Sequence, residues 1–167
     1  MSTYAEVVGH FESEAVISRE DVRRWIDSGD LLTWSAVYAL TRNEWSRIQP
    51  EIPGDEQIDF IRRYLLRCLE ENPPSGDYLH GGYEAAWELA ACLKHWQSNK
   101  ALRGAAVDLD KLYRRGDDAT RNRILCGVLE HAFEDPDVRP YFASWERDEE
   151  LREAYRLALE WGAAHAE

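Results

Sequence analysis

The chain has 167 residues, with 32 acidic against 20 basic side chains and a formal net charge of −12 at pH 7. A surface this acidic repels nucleic acid and anionic membranes and attracts basic proteins. The length suits one domain over residues 1–167, and seven Trp with eight Tyr supply enough apolar surface to argue against disorder.

The N-terminus, Met1 to Glu6, has neither a basic start nor an apolar run, and no stretch approaches the roughly 18 apolar residues of a spanning helix. A cytoplasmic protein is expected. Cys68, Cys92 and Cys126 are widely spaced, lack a Cys-x-x-Cys pattern, and read as reduced, buried small hydrophobes.

Ser18 can cap a first helix, with Asp21 reaching back as in a capping box. Val22, Trp25 and Ile26 share one face of it, and it stops near Gly29. Asp30 can cap a segment from Leu31 to Leu40 that is apolar nearly all round. Thr41-Arg42-Asn43-Glu44 reads as another capping box, opening a short helix through Trp45 and Ile48 that Pro50 and Pro53-Gly54 end. Asp55 can cap a long helix to Glu71 with Ile58, Ile61, Leu65, Cys68 and Leu69 as its apolar stripe, stopped by Pro73-Pro74. The 73–82 loop offers a point of subdivision.

Helices follow over 82–97 and over Lys100 to Arg115, the latter ended by Gly116 as a left-handed stop. Asp117 or Asp118 caps a helix to about Glu134. Gly127 in its middle costs about 1 kcal/mol relative to Ala, and such a glycine usually admits a neighbouring helix. Pro136 and Pro140 bracket a tight connection, and Tyr141, Phe142 and Trp145 form a short apolar turn. Asp148-Glu149-Glu150 leads into a last helix from Leu151 to Trp161, ending near Gly162. No segment alternates as a strand does. The chain therefore reads as all-α, about seven to eight helices in antiparallel hairpins, with a HEAT-like stack as one arrangement.

Glu84, Glu88 and His95 share a side of the helix over 82–97 and could hold a metal, although a solvated face explains them as well. His80-Gly81-Gly82 reads as a plain turn before a helix. No nucleophile elbow or deaminase pattern occurs. Trp25, Trp45 and Trp87 fall on apolar faces and are expected in the core. Trp34, Trp96 and Trp145 lie near segment ends, where partial exposure is expected.

Acid is uneven along the chain. Glu51, Asp55, Glu56 and Asp59 follow one another without an intervening base. Asp135, Asp137, Glu146, Asp148 and Glu149 load the back. With Trp145 as an aromatic anchor, these are the candidate partner-binding residues.

The stretch Arg121-Asn122-Arg123-Ile124-Leu125-Cys126-Gly127-Val128-Leu129-Glu130-His131, followed by an acidic proline-containing turn and a helix ending near Trp161-Gly162, resembles a family of small all-helical bacterial proteins. These are similar to the immunity partners of bacterial toxins. The resemblance runs from about Tyr83 onward and implies a protein-binding role with no catalytic residues and no cofactor. The expected function is an acidic immunity protein that neutralises a basic toxin, for instance a nuclease, by direct binding. A helical adaptor is the alternative and a metal-dependent enzyme the remoter one; a homodimer is compatible with either binding role.

Overall fold

A computed structural model describes residues 2–96 and 98–166. Among the described residues the chain is all-α apart from one two-stranded parallel pairing and an isolated antiparallel bridge between Gly76 and Leu79, and it divides into two compact units. The first runs to Tyr64 and takes in Pro74–His80; the second comprises Leu65–Pro73 and the chain from Gly81 onward. The chain crosses between the units inside a helix, between Tyr64 and Leu65, and again at either end of Pro74–His80.

The first unit holds α1 (Thr3–Val8), β1 (Ile17–Ser18), α2 (Arg19–Asp27), α3 (Leu31–Glu44), a 3-10 turn (Trp45–Arg47), β2 (Ile48–Gln49) and the start of α4 (Gly54–Glu71). Ser18 stands at the N-cap of α2, yet its hydroxyl donates to Glu20 Oε2 (3.0 Å) and caps no backbone amide. Asp21 pairs forward with Arg24 at 2.9 Å instead of reaching back. Asp30 caps α3 as expected, accepting from Thr33 N at 2.8 Å. The run from Thr33 to Tyr38 is buried throughout, which matches an all-round apolar helix.

The capping box at Thr41 does not open a helix. α3 passes through it, and the buried Thr41 hydroxyl donates back to Tyr38 O at 3.2 Å. A Thr side chain can bond the backbone on either side, so the sequence pattern permits both outcomes. Ile48 is likewise not helical: it pairs with Ile17 across the β1–β2 ladder, a strand pairing that lacks any alternating pattern in the sequence. Trp34 and Phe60 meet edge to face at 5.7 Å, and Tyr38 and Tyr64 pack at 4.9 Å. Trp34, expected partly exposed, is buried within this aromatic core.

The second unit holds the end of α4, α5 (Gly82–His95), α6 (Asn99–Arg115), α7 (Asp118–Asn122), a π-helical segment (Arg123–Leu129), α8 (Glu130–Ala132), a 3-10 segment (Arg139–Arg147) and α9 (Arg152–His165). Asn72, left-handed at φ 46°, ends α4 just before the prolines. Its Oδ1 accepts from Gly82 N at 3.0 Å. Gly116 is extended (φ −76°, ψ 155°) rather than left-handed, and the turn passes to Asp117, which caps Thr120 N at 2.8 Å.

The backbone stays right-handed helical at Asn122, Arg123, Leu129 and Glu130, so α7, the π-helical segment and α8 follow on as the one helix expected over 118–134. Arg123 is buried, and its Nε donates to Leu69 O at 2.8 Å, satisfying a carbonyl in the last turn of α4 that has no partner within the helix. Phe133, Phe142 and Trp145 form an edge-to-face chain, with Tyr155 on Phe133 and Tyr113 on Trp145. α9 starts later and runs further than expected. It passes through Gly162, where an added Cβ would lie 2.5 Å from Phe133 O.

Candidate protein-binding surface

The acidic run of the first unit is base-free in sequence and not in space. Arg23 Nε and Nη2 hold both oxygens of Glu56 at 2.8 and 2.9 Å, and this bidentate bond keeps the Glu56 carboxyl below its ordinary range. Asp59 pairs with Arg62 at 3.1 Å and Arg63 at 3.7 Å. Glu51 is exposed, with Arg19 on its backbone carbonyl at 3.4 Å, and Asp55 is exposed in the first turn of α4.

The acids of the second unit divide. Asp148 bonds Arg114 and accepts from Glu150 N (2.9 Å) and Leu151 N (3.2 Å), which together hold its carboxyl below the ordinary range. Asp135 Oδ1 accepts from Asp137 N at 2.9 Å. Asp137, Glu146 and Glu149 are exposed and make no ion pair among the described residues. Trp145 corrects the expectation directly: at 1% exposure it is core and cannot anchor a partner.

The metal reading also finds no support. Glu84 and His95 are exposed and Glu88 half-buried, and among the described residues no three His, Cys, Asp or Glu side chains gather as a metal site. Of the cysteines only Cys68 is buried; Cys92 and Cys126 are half-buried.

The second unit also leaves two large rings exposed. Trp87 is 53% exposed and Tyr83 39% exposed, their ring centroids 6.1 Å apart. Trp87 was expected in the core. The buried face of α5 is instead Ala85, Ala86, Leu89, Ala90 and Leu93, and its alanines let a neighbouring helix come close. Gly127 faces them: a Cβ there would lie 2.5 Å from Ala86 Cβ and 3.5 Å from Tyr83 Cδ1. The close approach expected of Gly127 is present, and it leaves the large i, i+4 rings of α5 on the open side.

Along the same side, Asn122 Nδ2 donates to Tyr83 Oη at 3.5 Å and the Cys126 thiol contacts Asn122 Oδ1 at 3.7 Å. Burial, then the Glu130 carboxylate, pushes the Cys126 thiol up, which disfavours its thiolate. Beside these residues lies a shallow cavity of about 360 Å³, lined by Trp87, Ala90, Ala91, Lys94 and His131. Two of these lining residues pair with Glu134, which lies 3.2 Å from Lys94 Nζ and 3.3 Å from His131 Nδ1. Burial raises the Glu134 carboxyl, but Lys94 and His131 outweigh it and hold the group below its ordinary range. The surface thus offers an exposed aromatic pair beside a cavity lined by Ala90, Ala91, Lys94 and His131. The π-helical geometry from Arg123 to Leu129, a form common at functional sites, flanks it.

The signal for this surface was present in the sequence as the spacing Tyr83, Trp87, Ala91 and Lys94, which is as regular as the stripe that is buried. No helix among the described residues is long and apolar enough to cross a membrane. No known protein family matches the chain, and no curated protein or solved structure is similar to it.

Proposed function

We propose that this chain is an acidic protein-binding module that neutralises a basic protein by direct contact, in the manner of an immunity protein for a bacterial toxin. The reading is carried by the Trp87–Tyr83 pair, half-exposed on α5 within a chain of net charge −12. Exposed aromatic side chains are the commonest energetic centres of protein interfaces, and negative charge around them steers a basic partner into encounter. A nuclease is one such partner, since a protein that holds phosphate must itself be basic. Asp137, Glu146 and Glu149, free of ion pairs among the described residues, add to the same field. Co-expression with the product of the neighbouring gene is the test. Restored growth and co-elution of a complex whose association slows at high ionic strength support the reading; no protection and no complex refute it.

A further inference from the structure

α6 runs against the charge of the rest of the chain. It carries five basic and two acidic side chains within a protein of net charge −12. We propose that its outer face docks an acidic amphipathic helix of a partner protein. One apolar side chain of that helix packs on Val107, and carboxylates one turn to either side meet Arg103 and Lys111. This second contact surface goes beyond the neutralising role, is selective for the opposite charge, and stands independently of it.

Helical geometry builds the face. The buried stripe of α6 is Ala101, Leu102, Ala105, Ala106, Leu109 and Leu112. At about 100° per residue, Val107 lies opposite that stripe, and Arg103 and Lys111 fall about 40° to either side of it. Val107 is 52% exposed, and both cations are exposed. The three form one i, i+4, i+8 ridge, the kind of row that packs against a second helix. Its ends lie about 12 Å apart along the axis, a span that two to three turns of a partner helix match. An extended peptide would need a sheet edge, and the second unit has no strand among the described residues.

Charge selects the occupant. Arg103 and Lys111 make no hydrogen bond and no ion pair among the described residues. Other cations of α6 differ: Arg114 bonds Asp110 and Asp148, and Arg115 bonds Glu70 at 2.9 Å. The two acids of the helix stand outside the ridge. Asp110 is bonded to Arg114, and Asp108 acts on Arg115. The ridge therefore sets positive charge around an apolar knob, and carboxylates around an apolar side chain complement it. A short helix confines its charge to within about one Debye length of the ridge, roughly 8 Å at physiological salt. Nucleic acid is charged along its whole length and would extend over the acidic surface beyond α6. A second copy would bring a net charge of −12 against the same charge.

The test uses the full chain and a fluorescently labelled synthetic helix with a row of leucines flanked by glutamates, read by anisotropy. Saturable binding is expected, weaker at high ionic strength. Arg103→Gln with Lys111→Gln is expected to lower the affinity about tenfold, the scale of two exposed ion pairs. Arg24→Gln with Arg156→Gln, an equal change of charge on exposed residues of α2 and α9, is expected to leave it unchanged. Arg103→Glu with Lys111→Glu is expected to release the glutamate helix and bind its lysine counterpart, a reversal that loss of folding cannot produce. No binding of the glutamate helix, equal binding of the lysine helix by wild type, or equal binding by wild type and the paired glutamine variant overturns the proposal. A duplex oligonucleotide bound more tightly through the same two residues also overturns it, as does self-association that the paired glutamine variant abolishes.

Discussion

Gly127→Ala tests the close contact between Gly127 and Ala86 of α5. In a helix interior alanine is preferred over glycine by about 1 kcal/mol, so on propensity alone the change is stabilising. The structure predicts the opposite sign. The new methyl would sit 2.5 Å from Ala86 Cβ, whereas carbon atoms rest at roughly 3.5–4.0 Å. Ala86 has no rotamer to yield, so α5 and the π-helical segment must part. Overpacking of this kind costs about 1–3 kcal/mol, and the depth of the overlap puts it at the upper end. Net destabilisation is then about 2 kcal/mol, a fall in melting temperature of about 4–8 °C for a chain of this length. Ala86→Gly alone is expected to cost a similar amount, through lost propensity and one lost buried methyl. Combined, the two exchange a methyl across the same interface, so the double variant should lie within about 1 kcal/mol of wild type, a coupling of about 3 kcal/mol. Urea denaturation of the four proteins measures this. Gly127→Ala at or above wild-type stability, or strict additivity in the double variant, would refute the packing account.

Trp145→Ala removes a core ring that touches Tyr113 and Phe142 and should cost about 3–5 kcal/mol. Trp87→Ala should cost less than about 1 kcal/mol, and equal losses in thermal melts would contradict the assignment of one ring to the core and the other to the surface. Arg123→Met leaves Leu69 O and Thr120 without their partner and should destabilise by about 2 kcal/mol; an unchanged urea midpoint would show that the buried guanidinium is dispensable. Glu56, bonded by Arg23, and Asp148, bonded by Arg114, have carboxyls depressed in the folded state. A depressed carboxyl contributes stability above its unfolded pKa and loses it as pH falls through the folded one, so the urea midpoint should drop below about pH 4. Arg23→Met should shrink that acid loss, and a midpoint that stays level down to strongly acid pH would refute the linkage.

Much of the helical framework was legible because its signals act over a few residues. Asp30 and Asp117 cap where their position predicts, each bonding an amide three residues on. The same short range explains the misreadings. Thr41 bonds backward instead of forward, and Ser18 bonds a neighbouring carboxylate instead of an amide. Local pattern leaves those choices nearly equal in energy, and the packing of α3 settles the first of them. Arg23 and Glu56, 33 residues apart, show why an acidic run in sequence is a poor guide to an acidic patch.

The sequence by itself determined that this protein is helical, where most helices begin and end, that its surface is strongly negative, and that Gly127 marks a close approach. Tertiary structure alone decided which aromatic rings are covered. α5 carries two apolar stripes of equal regularity, and burial went to the one made of alanine and leucine because Gly127 admits a near neighbour only over small side chains. Trp87 and Tyr83 were thereby left facing outward, while Trp34 and Trp145 were drawn into the two cores. Helical periodicity names the faces of a helix; which face meets another element depends on contacts distant in sequence.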